Sequence, residues 1–110
     1  MNRLPMSPTA AALLRGLIVR AGVPRDRILL TAVKSTDWRS LTFAGERHEL
    51  QLRVSGPGSR EVADRMCGGL EEAELNIAGA IVADIEVSHL HVEEDGSTSI
   101  TIEALTVAAD

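Results

Sequence analysis

The first third of the chain carries apolar residues at every third or fourth position, the spacing that lines one face of a helix. Ser7 and Pro8 precede this pattern, and both are favoured where a helix begins. Gly22 follows it and can adopt the left-handed conformation that ends many helices. The pattern therefore predicts a first helix over residues 8–21, with a loose tail over residues 1–6.

Two stretches further along the chain predict strands. Residues 28–33 are mostly apolar and rich in β-branched and leucine side chains. In the stretch that begins at Glu46, apolar Leu50, Leu52 and Val54 alternate with polar residues. The segment between them, 34–45, holds the only Trp and the only Phe of the chain among Ser, Thr and Asp. Its pattern predicts neither a helix nor a strand, and its course stays open at this point.

A second helix is predicted after the turn formed by Gly56-Pro57-Gly58. Ser59 is a suitable N-cap, and an apolar stripe follows it at helical spacing. We expect this helix to end by Leu75 or Asn76, weakened or kinked in its middle by Gly68-Gly69. The stripe consists of Val62, Ala63, Met66, Cys67, Leu70 and Ala73.

The remainder of the chain predicts one long β-hairpin around the turn 94–97. Apolar and polar residues alternate on both sides of this turn, and Asp-Gly within it is a strong hairpin signal. Pairing Glu93 with Thr98 would place Leu90 and Val92 on the face opposite to that of the two neighbouring histidines. Both faces of the hairpin would then be partly apolar, so we expect one of them to contact a partner.

These elements together predict a single α+β domain over residues 1–110. The expected architecture is a two-layer sandwich in the order α-β-β-α-β-β, with a four-stranded, mainly antiparallel sheet and two helices on one face. A chain of 110 residues accommodates one such core and no second domain.

Composition narrows the functional classes. Hydrophobic residues make up 45% of the chain, almost all of them aliphatic, with one Trp, one Phe and no Tyr. So few aromatic rings argue against a stacking platform for single-stranded nucleic acid. The apolar stretches are too short for a membrane span or a signal peptide, and a lone cysteine is typical of a reducing compartment, so we expect a cytoplasmic location.

The net charge of −5 conceals two halves of opposite sign. Residues 1–60 hold ten of the 11 Lys and Arg residues and carry +6, whereas residues 61–110 carry −11. Because a domain of this size has one core, the split predicts two oppositely charged surfaces on the same body. Such a molecule can bind a neighbouring copy of itself electrostatically.

No residue pattern indicates catalysis, a cofactor or a metal. His89 and His91 have a spacing that can bind zinc, with Glu93 on the same face, but a structural zinc site needs four ligands. Cys67 lies on an apolar stripe, where an inert buried thiol is the usual occupant. The arginines of the first half lack the aromatic neighbours and the helix-turn-helix pattern of a sequence-specific nucleic-acid site. We expect no enzymatic activity.

Trp38 and Phe43 are the strongest candidates for contact residues. They are large aromatic side chains in a polar segment of a chain that otherwise lacks them. The alternative is that they cover an edge of the sheet. With Leu90 and Val92 they form the predicted subunit interface.

From residue 46 onward, the order and spacing of the predicted elements resemble those of a known family. The features are a strand RHELQLRV, a Ser/Gly/Pro loop, an amphipathic helix SREVADRMCGGL, a long strand AIVADIEVSHLHV, a turn EDGS and a final strand SITIEALTV. This arrangement resembles the tail-completion or tail-terminator proteins of long-tailed bacteriophages, prophages and gene transfer agents. The helix over residues 8–21 also fits that family.

The resemblance implies a structural protein with no catalytic residues. Members of that family form a ring, commonly a hexamer, that closes the tail tube and meets the head connector. We therefore expect head-to-tail contacts between copies, tail-tube and head-connector proteins as partners, and a location in the cytoplasm or in an assembled phage-like particle. The isolated chain can remain monomeric until it meets a tail. The alternative function is a stand-alone small-ligand or metal-binding regulatory domain.

Overall fold

The computed structural model describes residues 5–109. Its helices are α1 (Pro8–Ala21) and α2 (Ser59–Cys67), and its strands are β1 (Ile28–Arg39), β2 (Ala44–Val54), β3 (Ala80–Val92) and β4 (Thr98–Ala108). The strands form one sheet in the order β1-β2-β4-β3, and all neighbouring strands are antiparallel. The predicted α+β architecture is therefore confirmed. No helix within residues 5–109 has both the length and the apolar character needed to cross a membrane.

The predicted first helix is confirmed with its bounds and its caps. The Ser7 hydroxyl oxygen accepts a hydrogen bond from the amide of Ala10 at 3.1 Å, and Pro8 is the first helical residue. Gly22 ends the helix with φ 69°, the left-handed conformation that glycine adopts without a steric penalty. Of the predicted tail, residues 1–4 lie outside the described part of the chain, and Pro5 and Met6 are exposed without regular structure.

The second helix differs from the prediction at both ends. Gly58 is the N-cap, and Ser59 is instead the first helical residue, with its hydroxyl buried against Thr98 at 2.8 Å. The helix ends at Cys67 rather than at Leu75 or Asn76, because Gly68 is extended and Gly69 is left-handed. Two successive glycines favour the helical conformation too weakly to carry the helix onward. Leu70 nevertheless reaches the core from a short 3-10 turn (Leu70–Glu72).

The hydrophobic core lies between the two helices and one face of the sheet. All its members come from α1, α2, the facing rows of the strands and the segment between α2 and β3. The fully or almost fully buried members are Leu13, Leu17, Leu50, Leu52, Val54, Val62, Ala63, Met66, Leu70, Ile100 and Ile102. Both helices therefore cover the same face, as predicted.

Two arginines fix the helices to each other at their C-terminal ends. The Arg20 guanidinium of α1 donates to the carbonyl oxygens of Met66 and Gly68, and the Arg65 guanidinium of α2 donates to the carbonyl of Ala21 at 3.1 Å. A cation at a helix C-terminus is favoured because the last carbonyls lack partners within the helix and carry the negative end of the helix dipole. Each helix thus caps the other.

The predicted register of the final hairpin was wrong by one residue beside the turn and by two residues at Ile102 and Ala104. Thr98 pairs with Val92 rather than with Glu93, and Ile100 pairs with Leu90 rather than with His91. Irregularities between Val82 and Asp84 and between Val87 and His89 insert extra residues into β3. A bulge shifts the alternation of faces, and sequence periodicity alone does not reveal it.

Residues 34–45 complete a second long hairpin. Residues 34–39 extend β1, a four-residue turn over residues 40–43 follows, and β2 begins at Ala44. The turn is closed by the Ser40 amide, which donates to the carbonyl of Phe43 at 2.8 Å, and by the Phe43 amide, which donates to the Ser40 hydroxyl at 3.0 Å.

The close approach of β2 and β4 at Gly45 gives a first testable prediction. A β-carbon added at Gly45 would overlap the carbonyl oxygen of Thr106, which is backbone and cannot move aside cheaply. We expect Gly45→Ala to lower the free energy of unfolding by at least about 2 kcal/mol in urea titrations. Gly16→Ala is the matched control, because its β-carbon would meet only Leu75 at 3.5 Å. That helical substitution should be neutral or stabilising by up to about 1 kcal/mol, and a Gly45→Ala variant as stable as wild type would contradict the packing described.

Candidate assembly surface

One face of the sheet carries no helix, and we refer to it as the open face. Because directly paired residues share a face, the strand register defines its members. They are Leu29, Ala32, Lys34, Thr36 and Trp38 on β1; Gly45, Arg47, Glu49, Gln51 and Arg53 on β2; Ser99, Thr101, Glu103, Leu105 and Val107 on β4; and Ile81, Asp84, Glu86, His89 and His91 on β3.

The charges of the open face are divided between its two halves. The β1–β2 half carries Lys34, Arg47 and Arg53 against Glu49, whereas the β4–β3 half carries three acids and no lysine or arginine. None of these side chains forms an ion pair with another within residues 5–109. The sequence asymmetry therefore appears as a charge gradient across the sheet, from one edge strand to the other.

Three glutamates lie side by side in the middle of this face. Glu49, Glu103 and Glu86 occupy one cross-strand row, and Lys34 continues the row at the β1 edge. Directly opposed like charges destabilise a sheet. The row therefore lowers the stability of the isolated chain, and a cation approaching the β3 edge would relieve the repulsion.

An apolar row crosses the open face at one end of the sheet. Trp38, Gly45, Val107 and Ile81 are successive partners across the four strands. Trp38 extends over Gly45 and donates its Nε1 hydrogen to the carbonyl oxygen of Thr106 at 3.2 Å. Trp38 thus packs on the sheet, whereas Ile81 at the opposite edge remains 59% exposed.

The turn between β1 and β2, residues 40–43, projects from the same end of the sheet. We call it the hairpin tip. Leu41 is fully exposed and Phe43 is 58% exposed, although both are large hydrophobic side chains. Such a pair at the end of a closed turn is a candidate contact point.

The structure separates the four predicted interface residues. Trp38 and Phe43 lie at the hairpin-tip end, whereas Leu90 and Val92 lie at the opposite end, beside the β3–β4 turn. Leu90 and Val92 also occupy the helix-covered face rather than the face predicted for them, because of the register difference. Leu90 packs against the core, and Val92 remains 43% exposed. Of the two aromatic residues predicted at the interface, Phe43 is the more exposed.

A groove that the sequence analysis did not identify lies beside β3. It occupies about 680 Å³ between the segment after α2 and the first residues of β3. We refer to it as the β3 groove, and its lining residues are Ala73, Glu74, Leu75, Asn76, Ile77, Ala78, Ala80, Ile81 and Val82. The signal in the sequence is the alternation of apolar Leu75 and Ile77 around polar Asn76, at and just beyond the predicted end of the second helix.

His48 is a titratable side chain that is almost completely buried, with only 2% of its surface exposed. Its Nδ1 lies 2.7 Å from the Ser35 hydroxyl, and its Nε2 lies 3.0 Å from the Thr106 hydroxyl. Thr106 donates its own hydrogen to the carbonyl oxygen of Glu46, so it accepts from His48. His48 therefore donates from Nε2, and in the neutral imidazole the Ser35 hydroxyl donates to Nδ1. Burial lowers the pKa of His48, against the opposite effect of the nearby Glu46 carboxylate.

Cys67, His89 and His91 are the other residues whose chemistry was considered. Cys67 is half-buried at the end of α2, and burial, reinforced by Asp64, raises the pKa of its thiol to about 11. His89 and His91 are exposed neighbours on the open face, with ring centroids 6.1 Å apart. Within residues 5–109 no group of three His, Cys, Asp or Glu side chains is arranged to hold a metal ion.

The buried imidazole makes stability depend on pH. The pKa of His48 lies below 6.5 in the folded protein, so as pH falls through 6.5 the unfolded chain takes up a proton first. The free energy of unfolding should then decrease from pH 6.5 down to the folded pKa. Urea titrations across this range should show the loss in wild type and a flatter profile in His48→Gln. His89→Gln, at an exposed imidazole, is the control and should retain the wild-type slope, whereas an equal slope in His48→Gln would assign the effect to another group.

The surface just described has no counterpart against which to compare it. Comparison with protein-family models, with curated proteins and with solved structures finds no match to this chain. Functional inference therefore depends on the charges, the exposed apolar residues and the grooves of the molecule itself.

Proposed function

We propose that this protein is the structural subunit of a phage-like tail completion or terminator ring, which joins the tail tube to the head connector. The observation that carries the proposal is the charge gradient of the open face, from a cationic β1 edge to an acidic β3 edge. The order of elements on which the family resemblance depends, α-β-β-α-β-β, is also the order in the folded chain.

The gradient favours head-to-tail contacts between identical copies. When two copies stand side by side, the β1 edge of one meets the β3 edge of the next, and Lys34 approaches Asp84 and Glu86. A two-fold contact through either edge alone would instead bring like charges together. Head-to-tail contacts that repeat by rotation close into a ring.

The glutamate row adds a reason for the two edges to associate. Glu86 lies on the edge strand next to Glu103, and a neighbour's Lys34 would supply at the β3 end of the row the kind of cation that Lys34 of the same chain supplies at the β1 end. The repulsion present in the single chain would thus be relieved on assembly. Surface charge interactions of this kind weaken as salt increases.

The edge strands do not favour continuous main-chain pairing between copies. β3 contains two register irregularities, and β1 contains one between Leu30 and Ala32. Bulges and charges on edge strands interrupt the addition of a further strand. Association between copies therefore has to depend mainly on side chains.

The glutamate row predicts opposite effects on stability and on assembly. Glu103→Gln should raise the free energy of unfolding of the monomer by about 0.5 kcal/mol, because it removes a directly opposed like charge. The same variant should self-associate more weakly at low salt, as measured by sedimentation velocity. Glu94→Gln, in the β3–β4 turn, is the control and should change neither property. A Glu103→Gln variant that is less stable than wild type would contradict the repulsion inferred here.

A charge-exchange experiment tests the ring itself. Lys34→Glu with Arg47→Glu makes the β1–β2 half of the open face acidic like the other half, and Asp84→Lys with Glu86→Lys makes the β4–β3 half cationic like the first. Each double variant alone should fail to assemble at a concentration and salt at which wild type forms rings visible by electron microscopy. An equimolar mixture should recover rings in which the two variants alternate, because every junction then joins unlike charges. Normal assembly of either variant alone, or no recovery on mixing, would overturn the proposal.

The role in the particle is tested in a cell that produces it. Deleting the gene should leave heads and tails unjoined in electron micrographs, and the wild-type gene should restore joined particles. The Lys34→Glu, Arg47→Glu variant should not restore them, whereas Arg15→Glu, at an exposed position on α1 away from the open face, should. Joined particles in the deletion strain would exclude this function.

A further inference from the structure

We propose that the hairpin tip of one copy, with Leu41 and Phe43, docks in the β3 groove of the next copy. This inference rests on the proposed self-association and names the contact that carries it. Three features of the chain support it: the position of the two surfaces, their apolar character and the charges beside them.

The two surfaces are placed as a cyclic contact requires. β1 ends and β3 begins at the same end of the sheet, since Trp38, Gly45, Val107 and Ile81 form one continuous cross-strand row. The hairpin tip therefore projects beyond this end of β1, and the β3 groove lies beside the first residues of β3 at the same end of the sheet. A rotation about an axis perpendicular to the line from the tip to the groove brings the tip of one copy to the groove of the next. Because this rotation involves no translation along the axis, its repetition can close a ring.

The tip is an exposed apolar group held in a defined shape. Leu41 is fully exposed and Phe43 is 58% exposed, and the turn is closed by hydrogen bonds between Ser40 and Phe43. A closed turn loses less conformational freedom on binding than an open loop. Burial of these two side chains would therefore contribute to association with little ordering cost.

The groove combines apolar side chains on its floor with exposed polar residues, Glu74 and Asn76, in its lining. Ile77 is buried in the core, and Leu75 packs against α1 at Gly16. The segment is held to the sheet by the Ala109 amide, which donates to the carbonyl of Gly79 at 3.0 Å. Its volume, about 680 Å³, is within the range of pockets that accept several side-chain-sized groups.

The charges beside the two surfaces are complementary. Arg39 is exposed at the base of the hairpin tip, with exposed Asp37 two residues further from the tip, and Glu74 is exposed on the rim of the groove. A tip-to-groove contact brings these unlike charges together, whereas a tip-to-tip contact would bring Arg39 of one copy against Arg39 of the other. The second copy of this chain is therefore the occupant that the groove fits.

Directional disulfide cross-linking tests this contact. In a Cys67→Ser background, a chain carrying both Leu41→Cys and Ala78→Cys should give a ladder of linked multimers on non-reducing gels after mild oxidation. Ala78 lines the groove and is exposed, so neither substitution disturbs the core. Chains with one cysteine each should not ladder, and a mixture of the two single-cysteine chains should give only a linked dimer. Leu41→Cys with Val19→Cys, at an exposed position on α1, is the matched control and should not ladder.

Any other result points to a different contact between copies or to no contact between them. Efficient linkage of Leu41→Cys chains to each other, or of Ala78→Cys chains to each other, would show a two-fold contact and overturn the docking. Rings or multimers that form without linkage would overturn the docking while leaving the proposed ring intact. Absence of both linkage and multimers at any salt or concentration, with purified tails present as well as without them, would overturn the two together.

Substitutions at the tip give an independent measurement of the same contact. Leu41→Asp with Phe43→Asp should raise the dissociation constant between copies at least about tenfold, because it places charges in an apolar groove. Val19→Asp, which replaces an equally exposed hydrophobic residue on α1, should leave the constant unchanged. Circular dichroism and urea titration should show both proteins folded, and equal dissociation constants for the two would contradict the docking.

Discussion

Two short helices have to cover a four-stranded sheet, and this constraint underlies the rest of the structure. α1 and α2 have 14 and nine residues, lengths of about 21 Å and 14 Å at the usual helical rise. The strands have 11 to 13 residues each, so they are considerably longer than either helix. The available helix can bury one face of this sheet but not both, and the other face has to be compatible with water or with a partner.

The covered face is rigid because polar contacts reinforce its apolar packing. Arg20 and Arg65 cap the helices reciprocally, and Ser59 ties the start of α2 to the β3–β4 hairpin through Thr98 and the carbonyl of Gly96. Arg27 donates to the carbonyls of Ser55 and Pro57, which fixes the loop before α2. These bonds hold the layers in one arrangement, so the open face and both sheet edges are presented in a constant geometry.

The open face combines features that reduce the stability of a single chain. It has a row of glutamates, exposed apolar residues at one end and charges without ion-pair partners within residues 5–109. A protein selected only for stability would not need them, whereas a subunit that meets copies of itself can use each of them at a junction. The bulged edge strands limit uncontrolled pairing of sheets through the main chain.

The conformational preferences of residues close together in the sequence were sufficient to predict which elements form and in which order. The caps of α1, the alternation in β2 and β4 and the Asp-Gly turn depend on neighbours within a few residues, so periodicity and turn preferences predicted them correctly. The length of β1 was not predictable, because residues 34–39 are too polar to resemble a strand until β2 pairs with them. The Gly68-Gly69 break was recognised as a weak point, but only the packing of Leu70 placed the following turn.

The position of residues on the candidate assembly surface depends on contacts between strands that are distant in the sequence. Bulges in β3 decided which face Leu90 and Val92 occupy, because one extra residue reverses the alternation and only the pairing with β4 reveals it. The strand order β1-β2-β4-β3 placed the cationic and acidic halves at opposite edges and brought the hairpin tip and the β3 groove to one end. The sequence by itself determined the order of the elements and the two oppositely charged halves. Only the tertiary structure decided where they meet, because long-range strand pairing determines register and edge position.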